Sequence, residues 1–170
     1  MLWSLSLALC CVTAHSQTTP QTDRLRGTYE ALVTRVSDGD TVWAQPLPNG
    51  PYRKMRLEGI DAPEICQPGG AASRDALATR LLRQVVLVKE SRRDDYGRAL
   101  VKLRHAGQDV GAAMVSQGHA WSYRWRDSDG PYARQEAQAR AERKGIFATA
   151  SPEHPRDFRR RHGPCSLPPR

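Results

Sequence analysis

The sequence predicts an α+β domain, a small five-stranded barrel capped by three helices. Three observations predict it. Short β-branched segments joined by tight turns come first in the chain, amphipathic helical segments are inserted between and after them, and 170 residues with 39% hydrophobic content suit one globular domain. The glycines and prolines are scattered rather than clustered, which argues against a disordered, collagenous or coiled-coil chain.

The elements follow in order. Residues 28–36 and 41–45 are β-branched and aromatic on either side of Ser37-Asp38-Gly39-Asp40, a turn in which Gly39 is expected to supply a positive φ. Leu47-Pro48-Asn49-Gly50-Pro51 makes a second turn before a strand over Tyr52 to Gly59, completing an antiparallel meander. After Gln67-Pro68-Gly69-Gly70, the segment Ala71 to Gln84 sets Ala72, Ala76, Leu77, Leu81 and Leu82 on one side at helical spacing, a face that must lie on the sheet. Strands over 85–90 and 98–105 flank the turn Asp94-Asp95-Tyr96-Gly97, and a short helix over Val110 to Gln117 stops at Gly118. Trp121 to Arg126 alternates like a short strand, and Tyr132 to Lys144 is a charged helix with Gly145 as terminator. Residues 27–148 are therefore the folded domain, and 149–170 form a Pro/Arg-rich tail expected to lack regular structure.

Leu2 to Val12 is the only long apolar run, and its eleven residues fall short of the roughly 20 a spanning helix needs. With small Ala14 and Ser16 behind it, residues 1–16 read as a cleaved secretory signal, and polar 17–26 as a linker. The expected location is the bacterial periplasm or the medium, with no stable membrane association after cleavage. Removal of the signal leaves two thiols, Cys66 and Cys165. In an oxidising compartment such a pair usually closes, and a loop this long has an entropic ceiling of about 4.7 kcal/mol. Two free buried cysteines are the alternative; a zinc site lacks close Cys or His partners.

Lys+Arg total 26 against 18 Asp+Glu, a formal charge of +8, and 22 of the basic residues are arginine. Arginine's planar fork suits phosphate, so an anionic polymer is the natural partner. The informative acids are Asp40, Asp61 and Glu64, and the informative bases Arg56 and Arg98, all in or beside turns, where sites are built. If the loops carrying Asp38-Gly39-Asp40 and Asp61-Ala62-Pro63-Glu64 meet at one barrel end, two carboxylates face one point, an arrangement suited to a hard cation such as Ca2+. Glu64 can then accept a proton from water, and Arg56 and Arg98 can neutralise charge on a phosphodiester. Singly, each has an ordinary alternative: turn acids cap backbone amides and arginines pair on surfaces. Asp127-Ser128-Asp129-Gly130 resembles a calcium loop, but its glycine comes two places too early.

Together, Asp38-Gly39-Asp40-Thr41, Arg56 with Asp61-Ala62-Pro63-Glu64, and Asp94-Asp95-Tyr96-Gly97-Arg98 resemble the staphylococcal nuclease (thermonuclease) family in order and spacing, over about Thr28 to Ala148. The resemblance implies an OB-fold barrel and a Ca2+-dependent endonuclease acting on DNA and RNA, with single-stranded or denatured substrate preferred. It assigns Asp40 and Asp61 as carboxylate metal ligands, the Ala62 carbonyl as a third protein ligand, Glu64 as base, and Arg56 and Arg98 as phosphate clamps. Water attacks phosphorus in line, the 5′ oxygen leaves, and 3′-phosphate ends remain. Tyr96 is placed near the terminal phosphate, with Tyr123 or Trp125 supporting a base by stacking; a barrel's aromatics more often pack in its core or rim. Ala62 stands where the staphylococcal form has threonine, Asp95 replaces a lysine, and the loop after Glu64 is shortened. The protein is expected to be a monomer. An inactive OB module that binds single strands is the competing reading, and a carboxylate-pair glycosidase the third. A bridge from Cys66 to Cys165 would pin the Arg-rich tail beside the catalytic loop, rigidifying it or adding phosphate contacts.

Overall fold

A computed structural model describes residues 27–163 and 165. The expected signal, residues 1–16, and linker, residues 17–26, lie outside the described residues. The strands are β1 (Thr28–Asp38), β2 (Thr41–Pro46), β3 (Arg53–Leu57), β4 (Ile60–Asp61), β5 (Val85–Arg93), β6 (Ala99–His105), β7 (Gln108–Asp109) and β8 (Trp121–Ser122). The helices are α1 (Gly70–Leu81), α2 (Val110–Ser116), α3 (Ala133–Ala141) and α4 (Pro155–His162), with a 3₁₀ turn over Gly145–Ala148. Among the described residues no helix is long and apolar enough to cross a membrane.

The main sheet runs β3-β2-β1-β5-β6-β7, and a parallel pairing of β3 with β6 closes it on itself. Five strands thus form the OB-type barrel the sequence predicts. Closure follows from alternation: Ala31 and Val33, Val42 and Ala44, Met55 and Leu57, Val86 and Val88, and Val101 and Leu103 are all buried, each strand turning every second side chain inward. Closing the sheet removes the exposed edges that a five-stranded open sheet would carry.

Helix α1 covers this barrel with Leu77 and Leu81. Its face differs from the expected one: Ala72 and Leu82 are exposed, and Ser73 takes the buried place. The Ser73 hydroxyl tolerates burial because it donates to the His119 carbonyl at 2.6 Å. Helix α2 starts at Asp109, whose carboxylate accepts from the Ala112 N–H at 2.9 Å, an N-cap.

Four expectations are corrected. The third strand is shorter than Tyr52 to Gly59 because the chain bends after Leu57 and starts β4 at Ile60. Trp121 to Arg126 yields only the two-residue β8, which among the described residues pairs with the equally short β4 alone. Gly39 does not have a positive φ; it is needed because a Cβ there would overlap the Ser73 hydroxyl and lie 2.7 Å from the Ala62 Cβ. The tail is not irregular, since α4 occupies Pro155–His162. Pro155 sits in its first turn, where proline is tolerated, the His154 ring nitrogen accepts from the Arg156 N–H at 3.2 Å, and basic side chains fill the last turn.

Candidate nucleic-acid cleavage site

The β1–β2 turn and the β4 segment meet at one end of the barrel. Thr41 lies opposite Arg56 across the β2–β3 ladder, which brings the Asp40 side chain to the Arg56 guanidinium. Arg56 Nη1 donates to Asp40 Oδ1 at 2.6 Å and Nη2 to Asp61 Oδ1 at 2.9 Å. The Ala62 N–H donates to Asp40 Oδ2 at 3.0 Å, and the Thr41 hydroxyl to Oδ1 at 2.9 Å. Both carboxylates are buried, Asp40 to 2% and Asp61 to 0% exposure, and buried charge survives only when paired in this way.

Burial opposes the charge on Arg56, but Asp40 and Asp61 outweigh it and hold the guanidinium above its ordinary pKa. Burial, reinforced by the Asp40 charge, pushes Asp38 up to about 7. Asp38 also shapes the turn, its carboxylate accepting from the Asp40 N–H at 3.0 Å.

Glu64 stands at the start of a tight loop: the Gln67 N–H donates to its carbonyl at 2.8 Å, and its own N–H donates to the Gln67 side chain at 3.2 Å. Gly70 closes that loop against α1, and a Cβ there would overlap the Glu64 carbonyl oxygen. The sequence-predicted Arg98 does not touch the acids. Its backbone N–H donates to Asp94 Oδ1 at 2.8 Å and its Nε to Oδ2 at 2.7 Å, while its guanidinium lies 5.3 Å from the Tyr96 ring centroid. Burial acts against Asp94 ionisation, yet the bonds from Arg98 and the Tyr96 N–H prevail and lower its pKa.

Arg56, Glu64, Arg98, Tyr96, Tyr123 and Trp125 share the wall of one cleft of about 1030 Å3. Tyr96 is 85% exposed and Trp125 61% exposed, so these rings belong to the cleft surface rather than to the core. Among the described residues no three His, Cys, Asp or Glu side chains group as a self-sufficient metal site. Two buried carboxylates still suit a hard cation whose remaining ligands are backbone and water oxygens, although guanidinium and amide nitrogens occupy much of their acceptor capacity here.

Cys66 and Cys165 are joined in a disulfide, their Cα atoms 5.8 Å apart. The expected bridge is present and the Arg-rich tail, folded as α4, lies beside the loop that carries Glu64, but the pairing of its Arg159 with the acids is one that sequence reasoning missed. Arg159 Nη1 donates to Asp61 Oδ1 at 3.1 Å and Glu64 Oε1 at 2.9 Å, and Nη2 to Asp61 Oδ2 at 3.0 Å. Partial burial works against the Arg159 charge, but the two carboxylates raise its pKa above that of a free arginine. Arg156 and Arg160 of the same helix also line the cleft. The available signal was the dense arginine run at 156–161 lying just before Cys165.

Residues 54–149 match a family described as Staphylococcal nuclease homologue. The chain is 35% identical over 143 residues to a protein named Micrococcal nuclease from Shigella flexneri, covering 78% of this chain and 81% of that one. It is 39% identical over 139 residues to Protein ParB from Escherichia coli, covering 75% and 77%. It is 33% identical over 128 residues to an uncharacterized endonuclease from Haemophilus influenzae, covering 75% and 71%.

Proposed function

The chain belongs to the staphylococcal nuclease family and is a nuclease hydrolase acting on nucleic acid, and on that premise we propose that it is a secreted or periplasmic, Ca2+-dependent endonuclease that cleaves DNA and RNA to leave 3′-phosphate ends. The observation that carries this reading is the convergence of the buried Asp40 and Asp61 on Arg56, which lines a cleft together with Glu64, Arg98 and three exposed aromatics.

The Asp40 and Asp61 carboxylates and the Ala62 carbonyl are the protein ligands of the ion. When bound, Ca2+ supplies positive charge at the phosphoryl oxygen. Glu64 accepts a proton from the attacking water or orients it. Arg56 and Arg98 clamp the equatorial phosphoryl oxygens, preorganised by their bonds to the acids and to Asp94 respectively, so little reorganisation is spent during reaction. The 5′ oxygen departs opposite the incoming water. Tyr96, Tyr123 and Trp125 offer stacking faces to unpaired bases, which favours single-stranded or denatured substrate. The net charge of +8 draws the polyanion to the cleft, and a monomer suffices because every proposed group lies on one chain.

The test is cleavage of denatured DNA with Ca2+, with a chelator, and with Glu64→Ala. Loss of cleavage in the last two supports the mechanism, and activity that survives both defeats it. Retention of strands at low salt without any cleavage would favour an OB module that only binds.

A further inference from the structure

We infer that Arg159 is a tethered internal cation that competes with a divalent ion for Asp61 and Glu64, so that helix α4 acts as a latch over the cation site. The inference rests on the proposed reading of Asp61 as a metal ligand and Glu64 as the acceptor from water.

The acceptor capacity of the site carries it. A carboxylate offers about four lone-pair positions. Asp61 accepts once from Arg56 and twice from Arg159, leaving little for another cation. Asp40 is similarly engaged by Arg56, Thr41 and the Ala62 N–H. Glu64 Oε1 also accepts from Arg159. A guanidinium and a divalent ion cannot share these oxygens, so cation entry requires Arg159 to withdraw. Arg56 cannot be the group that yields, since its side chain is only 18% exposed and is held between both acids, whereas that of Arg159 is 34% exposed and enters from a peripheral helix.

That helix lies outside the family-matched residues, which end at 149, and besides the burial of its Pro155 and Phe158 two specific links hold it beside the Glu64 loop. The Cys66–Cys165 disulfide joins it to the loop two residues past Glu64, and the Gln67 side-chain amide donates to the Glu153 carbonyl at 2.7 Å. A tether of this kind presents the guanidinium at an effective concentration on the order of millimolar. An ion that binds only the unlatched state then has its affinity reduced by the fraction of time the latch is open.

The experiment is calorimetric titration of Ca2+ into nucleic-acid-free wild type, Arg159→Gln, Cys165→Ser and Asp61→Asn, with folding of each checked by circular dichroism. Arg159→Gln is expected to bind Ca2+ roughly tenfold tighter or more, and Cys165→Ser to shift in the same direction by less, because its helix keeps the Gln67 link. Equal affinity in wild type and Arg159→Gln, while Asp61→Asn loses binding, overturns the latch alone. Weaker binding in Arg159→Gln overturns it too and makes Arg159 a positioning residue for the acids. Binding unaffected by Asp61→Asn, or absent throughout, defeats the underlying metal reading together with the latch.

Discussion

Arg56 Nη1 stands 2.6 Å from Asp40 Oδ1, which makes this arginine the counter-charge of the β1–β2 turn as well as a wall of the cleft. Its second arm neutralises Asp61. Arg56→Ala leaves the buried Asp40 carboxylate without its counter-charge, while Asp61 keeps Arg159, and breaking such a buried pair costs about 3–5 kcal/mol. Chemical denaturation is expected to show this loss, with Asp40→Asn partly restoring stability in the double variant; cleavage is expected to fall about 10²–10³-fold. An Arg56→Ala protein as stable as wild type would contradict the pairing.

Gly39→Ala places a methyl against Ser73 and Ala62. Overpacking of this kind costs about 1–3 kcal/mol, and because the strain sits beside Asp40 the cleavage rate is expected to fall as well. Adding Ser73→Gly removes the hydroxyl and Cβ in the way and is expected to improve packing at Gly39→Ala, although it also removes the bond to His119. A denaturation midpoint that does not move in Gly39→Ala contradicts the close approach.

Cys165→Ser opens a loop closed between residues 99 apart in sequence. The expected loss is about 2–4 kcal/mol, visible as a lower midpoint under oxidising conditions. Wild type treated with a dithiol is expected to approach the variant, and a midpoint insensitive to both changes would mean that the bridge contributes nothing.

His119 has its pKa lowered by burial first and by the charge of Arg80 second. The folded state therefore binds this proton less readily than the unfolded one, whose ordinary value is about 6.5. The His119 contribution is fully present above about pH 6.5 and is lost as pH falls from there through the depressed folded value. Thermal melts at pH 8 and pH 5 are expected to show a smaller difference for His119→Gln than for wild type.

Trp125 and Tyr96 are exposed on the cleft wall, so removing either ring costs no core packing. In a Glu64→Ala background, Trp125→Ala is expected to weaken binding of a single-stranded oligonucleotide by about 1–3 kcal/mol with an unchanged melting temperature. A drop in melting temperature without a change in affinity would instead assign the ring to rim packing.

The barrel was legible in the sequence because its information is local. Alternation along residues 28–36 and 85–90 marks which side chains turn inward, and turn residues at 37–40 and 94–97 mark where strands end. The acids and Arg56 were legible too, as a spacing. Helix α4 carried readable signals at Pro155 and in its charge order, but the surrounding prolines read as breakers and the helix lay beyond the part of the chain that patterned as a domain. The Ser73 inversion was illegible because a serine at a core position is stable only once the His119 carbonyl is there to accept its hydrogen bond.

Periodicity, turn chemistry and charge, which depend on neighbours within a few residues, determined the β-rich domain, the basic surface and the candidate acids from the chain alone. Which acid faces which base was decided only in three dimensions, because Arg159 lies 98 residues from Asp61 and meets it through closure of the barrel, the disulfide and the docking of a peripheral helix. Long-range electrostatic pairing depends on that closure, and no local pattern encodes it.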